Sequence, residues 1–175
     1  IEKGLYTDEY TDIRKMLKEK LDDYRYIHSL GVADSARELA KIYGADEEKA
    51  YFAGLLHDVA KNMPKDEQLQ LMETGGIILN PAEKNNPALW HAMAGECYLR
   101  LHMGITDPEI LGSVRYHTTG KAGMSLMEKI IYIADYISAE RNYPDVDVMR
   151  DLSINHSLEK ASLYSLIYTF NKQTK

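Results

Sequence analysis

The side chains in this sequence best suited to holding an ion are His28, His57, Asp58, His91, His117 and Asp135. Each falls on, or at the end of, an apolar segment: AYFAGLLHDVAK carries His57 and Asp58, and IIYIADYI carries Asp135. Read as part of a buried helix, Asp58 has no obvious backbone donor, and burying an ionised carboxylate without a partner is costly. His57 and Asp58 therefore either cap or brace something structural, or they hold an ion. Taken singly, each position has a plain explanation: a lone helical histidine is ordinarily structural or exposed, and Asp135 could serve a buried salt bridge. Several such explanations would be needed together, which favours the ion. Imidazole with carboxylate suits a borderline transition metal, and a carboxylate can bridge two ions.

Two other histidines fit this set poorly. The helical rise separates His102 from His91 by roughly 16 Å, too far for one cluster, and Gly104 follows it. His102 reads as a surface or C-terminal capping residue and His156 as a cap-region residue.

The elements that must position these groups read as helices. Ile13, Met16, Leu17 and Leu21 form one stripe over 8–22, the helical rather than the strand period. A second helix runs through Val32, Ala36, Leu39 and Ile42 to Gly44, a common terminator. Asp46 caps a third, apolar nearly all round from Ala50 to Ala60 and ended by Pro64, with His57 and Asp58 inside it. A helix over 65–73, an irregular loop over 77–87 and a helix over 88–103 follow. Asp107 and Pro108 open a helix to about His117, 118–123 is a loop, and Ser125 with Glu128 makes a capping box before LMEKIIYIADYI. A loop over 141–145 and two more helices complete an all-α bundle of about eight or nine helices.

At 175 residues the chain can bury a core without metal or disulfide staples. It reads as a single domain over 1–175, with a site-bearing core over about 24–140 and C-terminal helices over 146–172. A net charge of -6 without a basic block argues against nucleic acid and anionic membrane as partners. One cysteine, Cys97, excludes an internal disulfide and fits a reducing cytoplasm.

The order His28, His57-Asp58, His91, His117, Asp135 resembles the HD-domain metallophosphohydrolase superfamily, in the form that holds a dinuclear centre. The contexts RYIHSLGVADSARELAKIYGAD, GLLHDVAKNMPK, LWHAMAG, VRYHTTGKAGMSLMEKIIYIADYISAER and YPDVD are similar to the YqeK family of bacterial HD hydrolases, over about 10–170. That resemblance implies symmetrical cleavage of diadenosine tetraphosphate to two ADP by a metal-bridging hydroxide. It implies His28, His57, Asp58 and Asp135 on one ion and Asp58, His91 and His117 on the other, with Asp58 as the bridge. Iron is the metal it implies first, with manganese, cobalt or zinc as alternatives. Two divalent ions against Asp58 and Asp135 leave a locally positive pocket on an acidic protein, suited to a polyphosphate.

Lys61, one turn after Asp58, and Arg141, just past the Asp135 helix, are candidate phosphate ligands, and Lys61 joins Asp58 as a catalytic candidate. Thr118, Thr119 and Gly120 could let substrate approach closely after His117, although a plain turn reads equally well. Trp90 reads as a core residue rather than a base-stacking one. Two other functions compete. One is hydrolysis of a different nucleotide, a dNTP or a ppGpp-like alarmone; the other is a catalytically silent nucleotide sensor. A homodimer is left open.

Overall fold

Side-chain caps set several of the helix starts. The computed structural model describes residues 3–173, with side chains described over 10–169. After α1 (Lys3–Lys20), the Asp22 carboxylate accepts from the Arg25 backbone and opens α2 (Asp23–Tyr43), which Gly44 ends at φ 72°, a conformation that favours glycine. Asp46 accepts from the Lys49 backbone and opens α3 (Glu47–Leu56). Next come α4 (Lys65–Thr74), the one-turn α5 (Pro81–Lys84), a 3₁₀ turn (Pro87–Leu89) and α6 (Trp90–His102). Asp107 caps α7 (Pro108–Tyr116), and both reciprocal bonds of the Ser125–Glu128 capping box precede α8 (Leu126–Ile137). A short α9 (Val146–Asp151), a π-helical turn (Leu152–His156) and α10 (Leu158–Gln173) follow.

The all-α expectation holds, with ten α-helices among the described residues. The segment over 77–87 is less irregular than expected: Asn80 and Glu83 cap one another around Pro81 and form α5. A larger correction concerns α3. It stops at Leu56, so His57 is its C-terminal cap and Asp58 lies beyond the helix rather than inside it. The following bonds run three residues back, Val59 N–H to the Leu56 carbonyl (3.1 Å) and Lys61 N–H to the Asp58 carbonyl (2.8 Å), the tighter 3₁₀ pattern. His57 and Asp58 thus belong to a turn whose side chains need not follow the α3 stripe.

The core is built on Leu17, Leu39, Leu55, Leu56, Leu99 and the Ile130, Ile131 and Ile133 face of α8. Trp90 is buried, and its indole N–H donates to the Glu83 carbonyl at 2.7 Å, as a core residue should. Among the described residues no helix is long and apolar enough to cross a membrane. Helices α2 and α3 meet almost backbone to backbone: a Cβ added at Gly54 would lie 2.7 Å from the Ala33 Cα. That contact sets the spacing between the helix bearing His28 and the helix ending at His57. Gly54→Ala should lower the unfolding free energy in urea by about 1–3 kcal/mol. The overlap outweighs the roughly 1 kcal/mol that alanine gains over glycine in a helix. A variant as stable as the parent would contradict the tight crossing.

Candidate metal centre

Asp58 occupies the middle of the site, its side chain only 3% exposed. Its Oδ1 lies 3.2 Å from His91 Nε2 and 3.4 Å from His117 Nε2, while Oδ2 lies 3.6 Å from His57 Nε2. His91 and His117 approach each other at 3.3 Å through the same two nitrogens. The turn after α3, the start of α6 and the end of α7 therefore converge on one carboxylate.

Three of these histidines are oriented in the same way. His57, His91 and His117 donate Nδ1–H to the carbonyls of Gly54 (2.7 Å), Ala88 (2.8 Å) and Val114 (2.7 Å), each three residues back. At the ends of α3 and α7 these carbonyls lack helical partners, so the rings satisfy a demand the helix leaves open. In the neutral ring the bond places the proton on Nδ1 and turns the Nε2 lone pair toward Asp58; in the protonated ring the same Nε2 donates to the carboxylate. His57 Nε2 is fully buried and has no hydrogen-bond partner among the described residues.

The second carboxylate, Asp135, comes from α8. Tyr132, Asp135 and Tyr136 share one partly exposed stripe, while Ile130, Ile131, Ile133 and Ala134 are buried in the core. Asp135 Oδ1 lies 2.9 Å from His28 Nε2 and 3.9 Å from His57 Nε2. His28 points its other nitrogen at Glu140, which is also held by the Ser138 hydroxyl at 2.6 Å. Arg141 Nη2 donates to both Asp135 Oδ1 (2.9 Å) and His28 Nε2 (3.2 Å), and Arg25 Nη1 donates to Asp58 Oδ2 (3.2 Å).

The donor set fits a metal. His28, His57 and Asp58 bring ligand atoms within 4.8 Å of one another, as do Asp58, His91 and His117, and as do His57, His117 and Asp135. Nearly every atom facing inward is an acceptor, a lone-pair nitrogen or a carboxylate oxygen. Packing acceptors at these distances requires cations between or beside them, and the orphaned Nε2 of His57 has the same requirement.

The titration behaviour agrees with this chemistry. Burial pushes His57 down to about 4 and also lowers His91, so both are neutral, ligand-competent imidazoles near pH 7. Burial acts in the same direction on His117, but its hydrogen bond to Asp58 and the charges of Asp58 and Asp135 outweigh it and raise the pKa. Burial would raise Asp58 and Asp135. The surrounding imidazoles overcome it and hold both carboxylates well below the usual range. Burial lowers the Lys61 amine, whose Nζ lies 3.4 Å from His91 Nε2.

All six candidate ligands thus come together, and Lys61 and Arg141 reach them. His102 and His156 stay outside: His102 packs on Tyr98, and His156 is exposed beside Asp151. Thr118 and Asp135 line a cavity of about 700 Å³ together with Tyr132, Tyr136, Tyr143 and Tyr168. The Thr118 hydroxyl is buried there without a hydrogen-bond partner among the described residues. Thr119 lies on the outer side of the turn. It is exposed, its hydroxyl donates to the Gly120 carbonyl at 2.9 Å, and it does not line this cavity. Gly120, at φ 61°, makes the turn that carries the chain away from His117. Arg25, Ser138 and Glu140 also touch the cluster without standing out in the sequence. Only Arg25 left a signal there, since it precedes His28 by three residues and shares its helix face.

An all-helical fold that gathers four imidazoles and a second carboxylate around Asp58 defines a helical metal-binding scaffold. Residues 25–140 match the HD domain, and the chain belongs to the HD-domain family. It is 39% identical over 159 residues to the symmetrical bis(5'-nucleosyl)-tetraphosphatase of Bacillus subtilis, covering 89% of this chain and 85% of that one. A protein of the same name from Staphylococcus aureus is 37% identical, covering 92% of this chain and 80% of its own length. A crystal structure from Clostridium acetobutylicum, described as a predicted HD superfamily hydrolase involved in NAD metabolism, superposes with a TM-score of 0.89 at 41% identity. It covers 93% of this chain and 85% of the other.

The low His57 pKa gives a stability prediction for the metal-free protein. An unfolded imidazole takes up its proton near 6.5 and the buried one near 4, so the unfolded state binds more protons in that window. The stability from a neutral His57 is complete above about pH 6.5 and is lost as the pH falls. His91 acts in the same direction. His117, with a raised pKa, acts above that window. The Tm of chelator-treated protein should therefore fall between pH 6.5 and 4.5, and His57→Gln should flatten the decline. A wild-type Tm independent of pH over that range would contradict it.

Proposed function

We propose that this chain is a cytoplasmic, metal-dependent phosphohydrolase that cleaves dinucleoside polyphosphates symmetrically, taking diadenosine tetraphosphate to two ADP. The observation that carries this reading is the pair of ligand groups sharing Asp58, in a chain 37–39% identical over most of its length to proteins named for that reaction. His28, His57, Asp58 and Asp135 would hold one ion, and Asp58, His91 and His117 the other. The imidazole and carboxylate donors suit iron, manganese, cobalt or zinc over the all-oxygen preferences of magnesium and calcium, and the family resemblance puts iron first. Two such ions supply charge for the phosphoryl oxygens and lower the pKa of a water.

The remaining work falls to the chain itself. Lys61, beside His91, and Arg141, beside Asp135, flank the cluster from two directions and grip the polyphosphate on either side of the bond to be cut. Arg25, on Asp58, adds a third cation. These groups make the pocket attractive to a polyanion that the overall charge of -6 would repel. A guanidinium that pairs with a carboxylate in the free protein can exchange it for a phosphate, because both accept the same two-pronged hydrogen bonds. Thr118 lines the 700 Å³ cavity beside Asp135 and Arg141. That volume suits one nucleoside, and the surrounding tyrosines offer ring faces to a base. ADP departs as a stable anion, so the reaction needs no strong general acid. Cleavage at the centre follows when one ADP half is seated in the cavity, with its phosphates running to the cluster.

Incubation with diadenosine tetraphosphate should give ADP as the sole nucleotide product, and chelator should abolish turnover. AMP plus ATP would contradict the symmetrical register, and no turnover by metal-loaded protein would contradict the activity. Asp58→Ala should lose both metal uptake and hydrolysis while its far-UV circular dichroism stays helical. Activity retained in that variant would overturn the assignment.

A further inference from the structure

His28 differs from the other three histidines of the centre in what backs its ring. His57 and His117 stand at helix C-termini and His91 at the junction of the 3₁₀ turn with α6, and each gives Nδ1–H to a backbone carbonyl. His28 is the sixth residue of α2, inside the helix, where the carbonyl of the preceding turn is already taken by the helical ladder. A ring there must find a side-chain acceptor, and Glu140 supplies one. Glu140 is itself fixed, since the Ser138 hydroxyl donates to the same oxygen at 2.6 Å. Room for it is made on α2, one turn beyond His28: a Cβ at Gly31 would fall 2.6 Å from Glu140 Oε2.

A carboxylate behind an imidazole fixes the ring and makes its far nitrogen a stronger donor to a metal than a neutral carbonyl does. We propose that Glu140 is a positioning residue for His28, making the ion position built on His28 and Asp135 unlike the one built on His91 and His117. Loss of Glu140 then weakens the first position and spares the second. This rests on the reading of the centre as dinuclear given above.

The test is equilibrium dialysis of chelator-treated protein against Mn²⁺, with bound metal counted by mass spectrometry and the metal-free Tm recorded for each variant. Wild type should bind two ions per chain. In Glu140→Ala one binding step should weaken by about 10–100-fold while the other is unmoved. Glu140→Gln keeps an oxygen that accepts the Nδ1–H and should fall between. Gly31→Ala, which leaves Glu140 in place chemically but displaces it, should shift the same step. Two unchanged steps in Glu140→Ala would overturn the proposal, as would an equal loss at both steps accompanied by a lower metal-free Tm. A wild type that takes up no metal would overturn the dinuclear reading as well. Two ions bound normally by both wild type and Glu140→Ala would overturn this inference alone.

Discussion

Asp58 carries its charge where almost no solvent reaches, and removing a carboxylate from water costs several kcal/mol even after the surroundings relax. The rest of the centre answers that cost. His57, His91 and His117 turn their nitrogens toward it, and Arg25 closes the remaining side. Imidazole lone pairs alone would not offset the charge, because they are acceptors too. The cluster is therefore stable only in the company of cations, whether guanidinium groups or bound metal. This demand for positive charge is what suits the site to a divalent metal.

Holding four imidazoles in fixed orientations is the second requirement, and for three of them the fold meets it with ordinary helix ends. A helix that stops leaves carbonyls without donors. A histidine placed just past the stop can donate to one of them and commit its other nitrogen to the interior. The ends of α3 and α7 do this for His57 and His117, and the 3₁₀ turn before α6 does it for His91. The early termination of α3 at Leu56 is part of the same device, since a continued helix would give the Gly54 carbonyl to the Asp58 N–H instead. The close backbone contact at Gly54 and Ala33 then brings α2, and with it His28, to the opposite side of the cluster.

Much of this was legible beforehand. The helical period, the Asp46, Asp107 and Ser125 caps, and the gathering of metal-competent residues in apolar segments all depend on neighbours a few positions apart, which a sequence displays directly. The end of α3 at Leu56 is hidden in the sequence because Val59 and Ala60 continue the apolar pattern, and hydrophobicity alone does not distinguish a helix from a buried turn. The short α5 was hidden because Asn80, Pro81 and Glu83 read individually as loop residues.

By itself the sequence determined the class of the fold and the chemical identity of the centre: imidazoles and carboxylates, without a sulfur ligand, on helices that must be buried. Tertiary structure alone decided which groups meet. His28 and Glu140 stand 112 positions apart, and Arg25 and Asp58 stand 33 apart. It also turned Thr119 outward while leaving the Thr118 hydroxyl buried, and it formed the tyrosine-lined cavity from α8, the 141–145 loop and α10. The physical reason is the range of the forces. Caps and periodicity act within a turn of helix, whereas the charge balance of a buried site is settled by whichever side chains the packing of helices brings within hydrogen-bonding distance.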